Sequence, residues 1–137
     1  MTIEEIDAEI LRLRNMRFDL EKSKITSAQE AARENVGRCF TVDGIYVMVI
    51  DVPQVETDKQ GRLHFNEYQY PAIYLSHSAG KPSNLIPFHV GTLFSGAWGK
   101  GNDFIHKYVE VSAEEFNTEF EKRLDTLGRE VQGRRKQ

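Results

Sequence analysis

A chain of 137 residues has the length of one domain and can bury a core without disulfide or metal staples. Hydrophobic residues at 39%, charged residues at 28% and a net charge of -3 exclude wholesale disorder, and the longest apolar run, Ile45 to Ile50, is too short to cross a membrane as a helix. A single cysteine, Cys39, excludes an internal disulfide and a multi-cysteine zinc site, and the acidic amino terminus lacks the basic-then-apolar layout of a secretory signal, so a cytoplasmic protein is expected.

Residues 1–35 carry 14 charged side chains and one aromatic, Phe18, and read as helix. Thr2 can cap the first turn with Glu5 completing a capping box, and Glu4, Glu5 and Asp7 suit the positive helix end. No Gly or Pro interrupts residues 3–35, although Ser23 to Ser27 contains weak helix formers, so one long helix or a pair is expected. Ile3, Ile6, Ile10, Leu13 and Leu20 fall on a heptad-like seam with Arg17 and Lys24 as intruders, and Leu11, Phe18 and Ile25 repeat at seven on its flank. That apolar surface either packs on the chain's own sheet or serves self-association, with Ile3, Ile6, Ile10 and Leu13 as the interface of a homo-oligomer.

Residues 36–111 hold 11 of the 14 aromatics and 8 of the 10 glycines, the composition of strands and turns. Gly37 stops the helix. Arg38 to Val42 and Ile45 to Val52 read as strands joined across Asp43-Gly44, the second apolar at nearly every position and therefore covered on both faces, with the helices as covers. Asp58 to Gly61 turns the chain into Leu63, Phe65 and the aromatic stretch Tyr68 to Leu75, and Leu85 to Val90 and Phe104 to Val111 complete about five strands. From Ser112, a cap with Glu115 as its partner, Phe116, Phe120, Leu124 and Leu127 mark a second helix over residues 112–131. The expected fold is α+β: a long N-terminal helix or helix pair, a small antiparallel sheet or barrel and a C-terminal helix, one domain overall.

Gly91 to Asp103 is the most unusual segment: four glycines, the only tryptophan, a lysine and an asparagine. Read as a loop, it offers amides that can nest an anion, Lys100 as a point charge, Phe94 and Trp98 as faces for a base, and Thr92 and Asn102 for hydrogen bonds. Arg38 and Arg62 are candidate second cations. The segment meets neither the Gly-x4-Gly-Lys-[Ser/Thr] nor the Gly-x-Gly-x-x-Gly pattern, and a structural loop whose aromatics plug the sheet edge explains the same letters.

Catalysis finds no motif. His64, His77, His89 and His106 have no metal-ligand spacing, Cys39 beside Phe40 reads as a small buried hydrophobe, and no serine stands in a Gly-x-Ser-x-Gly elbow. No catalytic residue, metal or cofactor is therefore expected. Residues 36–111 hold six Lys or Arg against seven Asp or Glu, which disfavours direct nucleic acid binding.

Val-Gly-Arg-Cys-Phe at residues 36–40, Tyr-Val-Met-Val-Ile at 46–50 and Val-Glu-Val-Ser-Ala-Glu-Glu-Phe-Asn-Thr-Glu-Phe at 109–120, after a helical start, resemble small accessory proteins of bacteriophages and prophages. The resemblance covers most of the chain and is one of layout, with no residue role carried over. It implies either a counter-defence role, as an oligomeric sponge that sequesters a nucleotide-derived immune signal in the manner of anti-Thoeris proteins or as an anti-CRISPR type inhibitor of a host defence nuclease, or else a phage structural or assembly protein. The expected partners are further copies of the chain and a nucleotide-like small molecule or a host defence protein, in the host cytoplasm, with no membrane.

Overall fold

Thr2 opens the first helix as expected, its Oγ1 accepting the Glu5 amide at 3.1 Å, and Ser112 opens the last in the same way, accepting the Glu115 amide at 3.0 Å. Between them a computed structural model describes residues 1–42, 44–75, 88–95 and 108–135. Helix α1 (Ile3–Ala32) is a single element of 30 residues, roughly 45 Å long at 1.5 Å per residue. The Ser23 to Ser27 stretch does not break it, because Thr26 turns its hydroxyl back onto the Lys22 carbonyl at 3.0 Å and satisfies it inside the helix. A 3-10 turn (Arg33–Asn35) follows, and Gly37, at φ 90°, bends the chain into the sheet and donates its amide to the Val49 carbonyl at 2.8 Å.

The strands are β1 (Cys39–Val42), β2 (Ile45–Val49), β3 (Val55–Thr57), β4 (Leu63–Phe65), β5 (Gln69–Leu75), β6 (Phe88–Phe94) and β7 (Val109–Val111), and α2 (Ala113–Arg135) closes the order. Five of them form an antiparallel sheet in the order β6-β5-β2-β1-β7, while β3 and β4 pair as a separate hairpin. The arrangement among the described residues is thus an α+β fold with an open sheet whose edges are β6 and β7.

Alternation along the strands sorts the core into two layers. Phe40, Val47, Val49, Tyr70, Ala72 and Leu93 form one with Ala32 of α1 and Val52. Cys39 and Leu75 form the other with Phe116 of α2, and Tyr46, Met48, Ile73, Phe88, Val111 and Phe120 pack around them. Strand β2 is therefore covered on both faces, as its unbroken apolar sequence requires, with one helix end on each side.

Several boundaries move. Strand β2 stops at Val49 rather than Val52, because Asp51 accepts the Val52 amide on its own side chain at 2.7 Å and turns the backbone out of register. Leu63 and Phe65 belong to the separate hairpin. The strand expected over Leu85 to Val90 begins at Phe88 and continues to Phe94. That expected over Phe104 to Val111 is described only as Val109–Val111; residues 85–87 and 104–107 lie outside the described residues. Helix α2 passes residue 131 and runs to Arg135, its last turn carrying Arg134 and Arg135 against the negative helix end.

Helix α1 divides into two parts. Only Ile25, Ala28, Gln29 and Ala32 are half-buried or buried, and Gln29 Nε2 donates to the Pro53 carbonyl at 2.8 Å. Every residue from 1 to 24 is exposed. Of the two uses open to its apolar surface, packing on the chain's own sheet is thus confined to the last two turns.

Candidate functional site

Strand β6 sets the geometry of the region that carries Thr92 and Phe94. The residues Gly91 to Phe94, expected in a loop, pair in full register with β5: Gly91 with Ala72, Thr92 with Pro71, Leu93 with Tyr70 and Phe94 with Gln69. Glycine at 91 answers a neighbour rather than a turn, since a Cβ there would meet the Tyr74 ring at 3.2 Å. Tyr74 crosses the strand at that point, donates its hydroxyl to the Thr92 carbonyl at 2.5 Å and stacks on His89 with centroids 5.2 Å apart. Burial, reinforced by the neighbouring Tyr108 hydroxyl, pushes the Tyr74 hydroxyl far above the ordinary tyrosine range, so it remains a protonated donor.

Beside this strand pair lies a cleft of about 600 Å³ whose lining includes Gln54, Glu56, His64, Phe65, Gln69 and Thr92. The β3–β4 hairpin forms one wall and the β5–β6 pair the other. Asp58 fixes the hairpin turn: Oδ1 accepts the Gln60 and Arg62 amides at 2.9 Å each, and Oδ2 lies 2.9 Å from His64 Nε2 and 3.0 Å from Arg62 Nε. These bonds, that to His64 foremost, bring the Asp58 carboxyl down to about 2. Arg62 is consequently engaged with Asp58 and Gln60 in the turn. The Gln69 and Thr92 side chains line the cleft and make no hydrogen bond among the described residues.

A second groove, of about 370 Å³, runs between the end of α1 and the start of β5 and is lined by Asn35, Arg38, Glu67, Tyr68, Tyr70 and Ser95 among others. Arg38 grips Glu110 with Nε and Nη2 at 2.8 and 3.1 Å, donates through Nη1 to Asn35 at 2.9 Å and lies 5.2 Å above the Phe40 ring. Asn35 in turn donates to the Tyr70 hydroxyl at 2.9 Å. The Arg38 hydrogen bond holds the Glu110 carboxyl below its usual range. Arg38 thus fastens the 3-10 turn to the edge strand β7, and an anion arriving here would compete with a carboxylate already seated in its fork.

The expected ligand residues do not converge. Thr92 lines the cleft, Arg38 the groove, Arg62 sits on the hairpin turn and Phe94 is half-buried on β6 opposite Gln69. Trp98, Lys100 and Asn102 lie outside the described residues. Cys39 is 1% exposed, its Sγ donates to the Gly37 carbonyl at 3.3 Å, and burial pushes its thiol up, which makes it a poor nucleophile. Among the described residues no three His, Cys, Asp or Glu side chains gather as a metal site, and no helix is long and apolar enough to cross a membrane. Ile3, Ile6, Ile10 and Leu13 all stand on the exposed part of α1.

Gln54, Gln69, Asn35 and Tyr70 were invisible as site residues in the sequence, where an isolated amide or tyrosine carries no spacing signal. No family model matches this chain, and neither a curated protein nor a solved structure is similar to it.

Proposed function

We propose that this chain is a non-catalytic, self-assembling binding protein that holds a nucleotide-like small molecule in the cleft between the β3–β4 hairpin and the β5–β6 strand pair. The observation that carries this reading is the pair of uncommitted polar side chains, Gln69 and Thr92, on the lining of a 600 Å³ cleft. That size lies within the roughly 300 to 1,000 Å³ of small-molecule sites. The Gln54 amide and the ring of Phe65 share the lining, a combination suited to the hydrogen-bonding edge and the face of a base. Glu56 is the acid of that lining, so in this reading the base and sugar enter the cleft. The resemblance to phage accessory proteins supplies the ligand class: a nucleotide-derived immune signal, sequestered intact in the host cytoplasm.

The test is chemical. Protein purified from infected cells is denatured and the released small molecules are identified by mass spectrometry. An intact nucleotide-derived molecule at one or fewer per protein chain is expected, whereas a turnover product in excess over protein would sink the non-catalytic reading. In calorimetric titration with the recovered molecule, Thr92→Val and Gln69→Ala should each weaken binding about tenfold, the scale of one lost hydrogen bond in a partly closed site. Unchanged affinity in Thr92→Val and Gln69→Ala moves the ligand out of the cleft. Co-purification with a large host protein and no small molecule replaces the sponge by an inhibitor of a defence nuclease.

A further inference from the structure

The exposed part of α1 carries a charge pattern that selects one way of covering it. Its seam residues Ile3, Ile6, Ile10, Leu13, Arg17 and Leu20 recur at heptad a and d positions. The positions immediately after each d are Asp7, Arg14 and Glu21. Two pairs of charges on this stretch are joined within the helix, Glu9 with Arg12 and Arg17 with Glu21. Asp7 and Arg14, which border the seam on the same side, have no ion-pair partner among the described residues and are too far apart along the helix to reach each other.

Two copies side by side in parallel would set Arg17 against Arg17 and Lys24 against Lys24 in the seam, burying like charges together. Antiparallel registers avoid this, and a shift by one heptad separates them. With Ile3 of one copy beside Ser27 of the other, Asp7 faces Glu21 and Arg14 faces its own copy. With Ile3 beside Leu13, Asp7 faces Asp7. The register between them places Ile3 beside Leu20, Ile6 beside Arg17 and Ile10 beside Leu13, and sets Asp7 of each copy against Arg14 of the other, twice by symmetry. It also matches the free length. The overlap uses residues 3–20 of an arm exposed through residue 24, so each helix start stops one turn short of Ile25, where the other copy's helix enters its own core.

We propose that α1 pairs antiparallel with α1 of a second copy of the chain, in the register that joins Ile3 to Leu20 and Asp7 to Arg14 across the interface. The paired stretch is roughly 27 Å long and holds the two sheet bodies about 40 Å apart, from the helical rise. This rests on the self-assembly part of the proposed function and is independent of its ligand.

The experiment uses the full chain with Cys39, buried, left in place. Equimolar Ile3→Cys and Leu20→Cys proteins, mixed and oxidised, should yield a covalent heterodimer, while each alone remains uncrosslinked. In sedimentation equilibrium, Asp7→Lys and Arg14→Glu should each weaken dimerisation roughly five- to tenfold, and the double variant Asp7→Lys/Arg14→Glu should restore it, an outcome that loss of folding cannot imitate. Efficient crosslinking of Ile3→Cys alone overturns the antiparallel register while leaving self-assembly intact. A monomer at every concentration, or a monomer bound through this arm to a host protein, overturns both the pairing and self-assembly, and the ligand titrations above still judge the cleft.

Discussion

At the scale of single residues, the chain shows side chains whose roles depend on one neighbour. A Cβ at Gly91 would crowd the Tyr74 ring, at 3.2 Å. That crowding cannot be seen in a sequence, where a glycine among glycines announces a turn. Cys39 was legible as a buried hydrophobe, since it precedes Phe40 in an apolar strand, and burial with a weak thiol hydrogen bond bears that out. Asp58 illustrates a polar residue read correctly as part of a turn but not as its organiser. Its carboxyl, brought down to about 2 by His64 and the turn amides, is a group depressed on folding. Its contribution to the hairpin is therefore complete above its unfolded value, about 3.9, and is lost as pH falls from about 4 through 2. Amide exchange at Gln60 and Arg62 should accelerate relative to the rest of the sheet over that interval, and the acceleration should vanish in Asp58→Asn.

At the scale of elements, both helix starts were written in the sequence because an N-cap is local: four residues, Thr2 to Glu5 or Ser112 to Glu115, contain all of it. The two-sided cover of β2 was legible for the same reason, as an unbroken apolar run needs two roofs. The extent of β6 was not. Its membership in the sheet comes from pairing with β5, a partner about twenty residues away, and no local spacing reports it. Helix α2 holds its layer chiefly through Phe116, 2% exposed, whose ring lies 6.4 Å from that of Phe120, itself 5.5 Å from Phe88 on the edge strand β6. Truncating Phe116→Ala should cost about 3 to 5 kcal/mol, read as a lower urea midpoint with an unchanged slope. Leu124→Ala, on an exposed position of the same helix, should cost well under half of that.

At the scale of the whole molecule, the architecture is a two-faced sheet with one helix end laid on each layer and one helical arm standing clear of both. The candidate site belongs to this scale and was for that reason the least legible part. The cleft joins Gln54, His64, Gln69 and Thr92 from three separate stretches of chain, and the residues grouped by the sequence into one loop are divided between a strand and residues outside the described ones. The arm has a consequence for how the chain behaves in dilution. Residues 1–24, which include most of α1, are exposed, and a helix of such length in water is only marginally favoured. The proposed pairing makes helical content a function of protein concentration: far-ultraviolet ellipticity at 222 nm should deepen as copies associate and fade on dilution, while near-ultraviolet signals from the tyrosine-rich sheet stay constant. Under that pairing a scarce chain would expose a fraying arm to proteases and an abundant one would hold it rigid, so the amount of protein would set the order of its own first twenty residues.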